Sequence, residues 1–184
     1  MLSKQQDFIL ETENKILTGR DNGRAELNKL SEYMNRSPAD SVVPINFSNT
    51  KFIDFSSCDE FLGKLISRIG SREFNNVYIY LTNVTKEIAE SIDAMLTLRA
   101  QNVILVENNT DIKILGKLNP ILKETLDYIN TEKEVSARKL ADVKKIAINT
   151  SSNRLTKLNQ LGLIARLETT STKSTEQYLY TSLI

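Results

Sequence analysis

The segment that most restricts the fold of this chain is residues 136–167, with the sequence SARKLADVKKIAINTSSNRLTKLNQLGLIARL. Its apolar residues recur at helical spacing in two short runs, Leu140 and Val143 in the first and Leu155, Leu158 and Leu161 in the second. Asn149 or Thr150 would cap the second helix, and Gly162 is placed to end it. The segment therefore predicts a short helix, a tight turn, a second helix and a strand that begins near Leu163.

The residues on either side predict the elements that complete this unit. Pro120 suits the first turn of a preceding helix, whose inner face would consist of Ile121, Leu122, Leu126 and Ile129. A polar tip at residues 169–175 and a returning strand at residues 178–183 would close a hairpin.

Charge is distributed unevenly along the chain, although the whole sequence has a net charge of only +1. Residues 1–119 contain 14 basic and 16 acidic residues, whereas residues 135–174 contain eight basic and two acidic ones, a local net charge of +6. Such a local excess of lysine and arginine is the electrostatic footprint of a surface that binds a polyanion. The alternative is a basic face that is only solvated.

The helices, the hairpin and the positive charge of residues 119–184 together resemble the bacterial winged helix-turn-helix regulators. The resemblance implies a small α+β domain that binds double-stranded DNA as a homodimer on two half-sites. It also implies that Val135 lies in a short strand before the first helix of the pair, and that the second helix enters the major groove. Winged helices also serve as protein-docking or dimerisation modules, and this alternative stays open.

The resemblance assigns roles to particular side chains of this sequence. The DNA-binding residues that it predicts are Arg138, Lys139, Thr150, Ser151, Asn153, Arg154, Lys157 and Lys173. Asn153 and Arg154 would read bases, because asparagine pairs with adenine and arginine with guanine. Thr150 and Ser151, near the start of the helix, would contact phosphates. The remaining basic residues would bind the DNA backbone.

Residues 1–118 predict a separate α/β domain with helices packed on a mixed sheet. Strand-like runs lie at residues 42–47, 51–55, 76–81, 102–106 and 112–115. Helical runs begin at Ala25 and at Ser56 and span residues 86–98. Glycine and Asp-Asn residues at positions 18–23 predict a turn before the first of these helices.

The start of the helix after residue 55 carries a further signal. Ser57 followed by Glu60 matches a capping box. The stretch VPINFSNTKFIDFSSCDEFLGKLI resembles the core of the STAS-like domains, distant relatives of anti-sigma factor antagonists, and the resemblance covers roughly residues 5–118. It implies that Ser56 or Ser57 accepts phosphate from a histidine-kinase-like ATPase. The plainer alternative is that Ser57 is only a helix cap.

These patterns leave two classes of function open. One is a transcriptional regulator in which the STAS-like domain senses a signal or mediates assembly. The other is a partner-switching signalling protein, with the winged helix as a protein interface.

The residue types present argue against an enzyme. The chain has no histidine, and its single cysteine, Cys58, is better suited to a small buried apolar role than to nucleophilic catalysis. Asp59 and Glu60 are consecutive on a helix, so their side chains are expected to diverge. We therefore predict no catalytic site, no metal site and no cofactor.

Cysteine use and hydrophobicity predict where the protein resides. A single cysteine permits no internal disulfide, which favours a reducing compartment. The N-terminal residues lack the apolar run of a signal peptide, and no stretch has the length of a membrane span. The sequence therefore predicts a cytoplasmic protein with no membrane partner.

Overall fold

The computed structural model describes residues 2–108, 111–168 and 178–184, which form a mixed α/β protein. The strands, in chain order, are β1 (Ser3–Lys4), β2 (Phe8–Ile9), β3 (Ile16–Leu17), β4 (Ser41–Asn46), β5 (Phe52–Ile53), β6 (Val77–Thr82), β7 (Val103–Glu107), β8 (Asp111–Leu115), β9 (Glu134–Ser136), β10 (Ala165–Glu168) and β11 (Tyr178–Thr181). The helices are α1 (Arg20–Arg36), α2 (Phe55–Cys58), α3 (Lys64–Gly70), α4 (Lys86–Arg99), α5 (Pro120–Glu132), α6 (Ala137–Lys144) and α7 (Ile148–Gln160). A π-helical segment, Asp59–Gly63, joins α2 directly to α3.

The largest sheet in the described residues has six strands and is mixed, as the sequence predicts. β1 and β2 both lie beside one edge of β4, and β6, β7 and β8 follow on its other side. All neighbours run parallel except β7 and β8, which form an antiparallel hairpin. β4 and β6 are buried on both faces because each runs through the centre of the sheet.

The helices that connect the parallel strands form one layer. Right-handed crossovers between strands in sequential order place their helices on the same face of a sheet. Consistent with this rule, α1 contacts α2 and α3, and α2 contacts α4. Val43 and Ile79, which are paired across β4 and β6, point towards this layer, since their sequence neighbours point the other way.

The opposite face of the sheet packs against residues 119–184. Tyr78, on this face of β6, accepts a hydrogen bond from Asn159 Nδ2 of α7 at 2.9 Å. A Cβ added to Gly162 would lie 3.3 Å from Ile69 of α3, so the end of α7 is in close contact with the helical layer's edge. Buried residues from both parts of the chain form one continuous cluster. The division into domains at residue 118 stays a prediction.

Residues 119–184 contain the predicted order of elements. Asn119 caps α5, Pro120 is its first residue, and the short strand at Val135 is β9. α6 begins with a hydrogen bond from Lys139 N–H to Ser136 Oγ. The small sheet has the order β10, β11, β9, and all its pairs are antiparallel.

Two details of this region correct the sequence predictions, and a third prediction is not tested. α7 begins at Ile148, so that neither Asn149 nor Thr150 is its cap, and the cap position is held by Ala147 without a side-chain hydrogen bond. Val143 was predicted to face the core but is 53% exposed, because α6 turns only Leu140 and Ala141 inward. The predicted tip at residues 169–175 lies outside the described residues.

The starts of α1 and α2 also differ from the predictions. α1 begins at Arg20 and not at Ala25, so Gly23 lies within the helix. α2 is capped by Asp54, whose side chain accepts a hydrogen bond from Ser57 N–H, so the predicted capping box at Ser57 is wrong. The other Asp54 oxygen accepts a hydrogen bond from Gly19 N–H at 3.0 Å. One carboxylate therefore links the starts of two helices.

Candidate nucleic-acid interface

One side of α7 is buried and the other is open to solvent. Leu155 and Leu158 are fully buried, and α7 contacts α6, α5 and α3. On the open side, the exposed residues are Ile148, Asn149, Thr150, Asn153, Lys157 and Gln160. None of these side chains forms a hydrogen bond or an ion pair within the described parts of the chain. Apart from Ile148, this face of α7 is polar, and its one exposed cation, Lys157, has no ion pair with a described residue.

Arg154 lies at the margin of the exposed face. It is half-buried, and it belongs to none of the ion pairs within residues 2–108, 111–168 and 178–184. Its charge does act on Glu124 of α5: Lys144, 2.5 Å from that carboxylate, and to a smaller extent Arg154 hold the pKa of Glu124 below its ordinary value. Of the two predicted base-reading residues, Asn153 is therefore the more exposed.

The predicted phosphate contact of the Ser151 side chain is wrong. Ser151 is fully buried, and its hydroxyl donates a hydrogen bond to the carbonyl oxygen of Ala137 at 2.6 Å. This bond ties α7 to the first residue of α6. Thr150, its neighbour in sequence, is exposed and free for the predicted role among the described residues.

The two predicted basic residues of α6 differ in their surroundings. Arg138 is exposed and has no ion pair with any described residue. Lys139 Nζ lies 2.5 Å from Glu132 Oε2, and this hydrogen bond raises the pKa of Lys139. Arg138 therefore presents an uncompensated charge, whereas Lys139 must exchange one anionic partner for another in order to bind a phosphate.

At the base of the hairpin lies Arg166, one of the eight basic residues of 135–174, for which the sequence predicted no role. The guanidinium of Arg166 lies 4.2 Å from the centre of the Tyr178 ring, a cation–π arrangement. Finding this pair requires the register of β10 and β11, which the sequence does not reveal. Lys173, the predicted DNA contact at the tip of the hairpin, lies outside the described residues.

The two predicted phosphorylation sites are not equivalent. Ser57 is fully buried, and its hydroxyl donates a hydrogen bond to the carbonyl oxygen of Leu17 at 2.8 Å. The folded protein therefore does not offer Ser57 to a kinase. Ser56 is half-buried, and its hydroxyl donates to Asp54 Oδ1 at 3.0 Å. A phosphate on Ser56 would lie beside that carboxylate, an unfavourable arrangement of like charges.

Asp59 and Glu60 take part in a network of ion pairs between α1, the π-helical segment and α4. Glu60 is 1% exposed and accepts hydrogen bonds from Lys64 and Arg24, which hold its pKa below the usual range. Asp59 pairs with Arg99. The two carboxylates were predicted to diverge, yet Arg20 Nη1 lies 3.5 Å from an oxygen of each. They share a cation across the surface of the helix.

The remaining chemistry-bearing groups are buried or dispersed. Cys58 is fully buried, as predicted, and burial together with Asp59 and Asp54 raises the pKa of its thiol to about 12. Within the described ranges, His, Cys, Asp and Glu form no group of three that could hold a metal ion. No helix in the same ranges combines the length and the apolar composition needed to cross a bilayer.

Compared with known proteins, the chain matches no family model, no curated protein and no solved structure. The class that the structure itself defines is a mixed α/β protein whose sheet lies between a helical layer and a C-terminal α+β segment. The STAS-like and winged-helix resemblances stay predictions from the sequence.

Proposed function

We propose that this protein is a DNA-binding transcriptional regulator and that α7 is the helix that enters the major groove. The observation that carries this proposal is the exposed face of α7, on which Asn153 and Lys157 have no partner among the described residues. A helix that reads DNA needs such a face on one side and a buried apolar face on the other. Leu155 and Leu158 supply the buried face.

The distribution of charge supports the same orientation. Residues 135–174 have a net charge of +6, and the first 119 residues have a net charge of −2. A duplex is therefore attracted to the C-terminal segment and not to the helical layer on the far side of the sheet.

Each exposed group has a role in this proposal. Asn153 contacts a base edge, with Arg154 at the margin of the same groove. Lys157, Thr150 and the start of α7 contact phosphates. Arg138 and Lys139 of α6, with Lys173 beyond the described residues, extend the contacts along the backbone. Ser151 has no role in binding, because its hydroxyl holds α6 and α7 together.

The proposed regulator acts in the cytoplasm as a homodimer on two half-sites, with the STAS-like part sensing a signal or mediating assembly. Two copies of α7 in successive major grooves would be about 34 Å apart. The partner-switching alternative, with a histidine-kinase-like ATPase as partner, is restricted to Ser56, since the Ser57 hydroxyl is buried. No contact in the described structure favours that alternative, and Asp54 beside Ser56 opposes it.

Selection from a pool of random duplex DNA tests the proposal. The full chain should enrich a short half-site, repeated at a spacing of about 10 base pairs. The Asn153→Ala variant should lose the preference for one base at a single position of the half-site. Its binding free energy for the preferred base should weaken by about 1–3 kcal/mol. Asn28→Ala, an exposed asparagine of α1, should enrich the same site as the wild type. A pool without any enriched sequence would overturn the proposal.

A further inference from the structure

An open cleft of about 550 Å³ lies where the large sheet meets the C-terminal segment. One wall is formed by β1, β4 and β6, and the other by residues 132–134 and 181–184. Its volume falls in the range of sites that hold small molecules, and such sites are frequent where two structural units meet. The DNA-binding residues proposed above do not line it, so the cleft has no role in that function as described.

The floor of the cleft is apolar. Val42, Tyr80 and Leu183 line it and are buried, and Leu2 and Ile184 flank them. Val42 and Tyr80 lie on the face of the sheet opposite the helical layer, in register with Lys4 and Pro44. An aliphatic chain placed on this floor would be removed from water on several sides, which favours binding in proportion to the apolar area covered.

Two ammonium groups stand above this floor. Lys4 Nζ lies 5.7 Å from the centre of the Tyr80 ring, and its interaction with Tyr80 raises the pKa of Lys4. Lys133, on the opposite wall, donates a hydrogen bond at 2.8 Å to a backbone oxygen of Ile184, the last residue of the sequence. Neither lysine has an ion pair with an aspartate or glutamate of the described residues, and Lys133 would exchange its bond to Ile184 for the ligand.

The two acidic residues of the rim differ in their availability to a ligand. Glu132 is bound to Lys139 at 2.5 Å and is therefore largely neutralised. Glu134 is exposed and has no ion pair within the described chain. Glu134 would attract a cationic ligand. The affinity for a carboxylate must therefore be compared with the affinity for an amine of the same chain length.

We propose that this cleft binds a short aliphatic carboxylate, with its chain on Val42, Tyr80 and Leu183 and its carboxylate at the ammonium groups of Lys4 and Lys133. A ligand held there contacts both the sheet and the C-terminal segment. It would therefore change how α7 is held against the sheet, and so the affinity for DNA. This regulatory consequence rests on the proposed function, whereas the binding site does not.

The probe is octanoate, titrated into the full chain without DNA and followed by the NMR signals of labelled methyl groups. Saturable shifts are expected at Leu2, Val42, Leu183 and Ile184, while the methyl groups of Leu98, 77% exposed on α4, should not move. Lys4→Met with Lys133→Met should weaken binding at least tenfold. The corresponding double change to arginine should restore it to within about threefold, because the positive charge is kept. Lys113→Met, an exposed lysine on β8, is the matched control.

Three results would overturn the site: no saturable shift with octanoate, equal affinity for octylamine, or no loss of affinity in the double methionine variant. Failure of this proposal is distinguishable from failure of the proposed function. If octanoate binds and no duplex does, the site stands and the DNA-binding proposal falls. If a duplex binds and octanoate does not, the reverse holds.

Discussion

Asp54 is the residue that holds the most local structure in the N-terminal part of the chain. Its two carboxylate oxygens accept hydrogen bonds from the N–H groups of Gly19 and Ser57, at the starts of α1 and α2, and from the Ser56 hydroxyl. Burial alone would raise the pKa of Asp54, but the hydrogen bonds from Ser57, Gly19 and Ser56 outweigh it and hold the pKa below the usual value. The ionised form is therefore the stabilising one.

Asp54→Asn should lower the free energy of unfolding by about 1–2 kcal/mol at pH 7, because the amide has one acceptor oxygen where two N–H groups need partners. A depressed pKa contributes stability above the unfolded value of about 3.9, and this contribution is lost as the pH falls through the folded value. The difference from the wild type should therefore shrink below about pH 4. Urea unfolding at pH 7, 5, 4 and 3 measures this difference.

The control is Asp142→Asn, at an exposed site on α6, which should change the free energy of unfolding by less than about 0.5 kcal/mol. If the difference in the free energy of unfolding between Asp54→Asn and the wild type does not change with pH, the ionised form of Asp54 is not the stabilising one.

Single polar side chains were the hardest to place from the sequence. Ser57 and Ser151 both stand near the starts of helices and read as surface hydroxyls, yet both are fully buried and bonded to carbonyl oxygens. Their burial depends on how pairs of helices cross, which is a tertiary property. Asn153, Lys157 and Arg138 were predicted as exposed and are so, since each lies opposite an apolar helical face that the sequence reveals directly.

At the scale of elements, the contact between α1 and α2 depends on the absence of a side chain. Gly23 lies within α1, and a Cβ at this position would be 2.6 Å from the carbonyl oxygen of Ser57. Glycine normally weakens a helix by about 1 kcal/mol relative to alanine. Its presence here allows the two helices to approach so closely that Ser57 packs against the backbone of α1.

Gly23→Ala therefore separates two effects of opposite sign. Helix propensity alone would stabilise the variant by about 1 kcal/mol, but the clash with Ser57 should dominate and lower the free energy of unfolding by about 1–3 kcal/mol. Thermal and urea unfolding measure the change. Asn28→Ala, at an exposed position of the same helix, should leave the stability unchanged or slightly higher. A Gly23→Ala variant as stable as the wild type would show that the helices are not in such close contact.

The order and type of most elements could be predicted, because each has a hydrophobic period of its own. The strand β6 and the helix α4 lie within one or two residues of their predicted bounds. The prediction was poorer where an element is short or where its cap is set by a distant residue, as Asp54 sets the start of α2. The pairing of β1 and β2 with β4 could not be predicted, since two-residue strands have no period.

At the scale of the whole molecule, the two faces of the large sheet are covered by different parts of the chain. Helices cover one face, and the C-terminal segment covers the other through Tyr78 and Asn159. Asn159 also donates to the carbonyl oxygen of Ile164, so the same amide fixes the start of the hairpin. The orientation of α7 relative to the sheet therefore depends on a small buried polar contact.

A double-mutant cycle of Tyr78→Phe and Asn159→Ala tests this contact. The expected coupling energy is about 0.5–1.5 kcal/mol, the net worth of one buried neutral hydrogen bond. Tyr33→Phe is the control, since the hydroxyl of Tyr33 is bonded to Gln6 at the surface and should contribute less than about 0.5 kcal/mol. Fully additive effects of the two substitutions would mean that the C-terminal segment is not held to the sheet through this pair.

The salt dependence of duplex binding by the full chain is the most direct test of the central claim that the exposed face of α7 binds DNA. We expect log Kd to rise linearly with log salt concentration, and Lys157→Met to reduce the slope by about one, as one phosphate contact is lost. Lys86→Met, at an exposed lysine on the helical layer, should leave the slope unchanged. If the wild type does not bind at low salt, or if the two lysine variants behave alike, the claim is wrong.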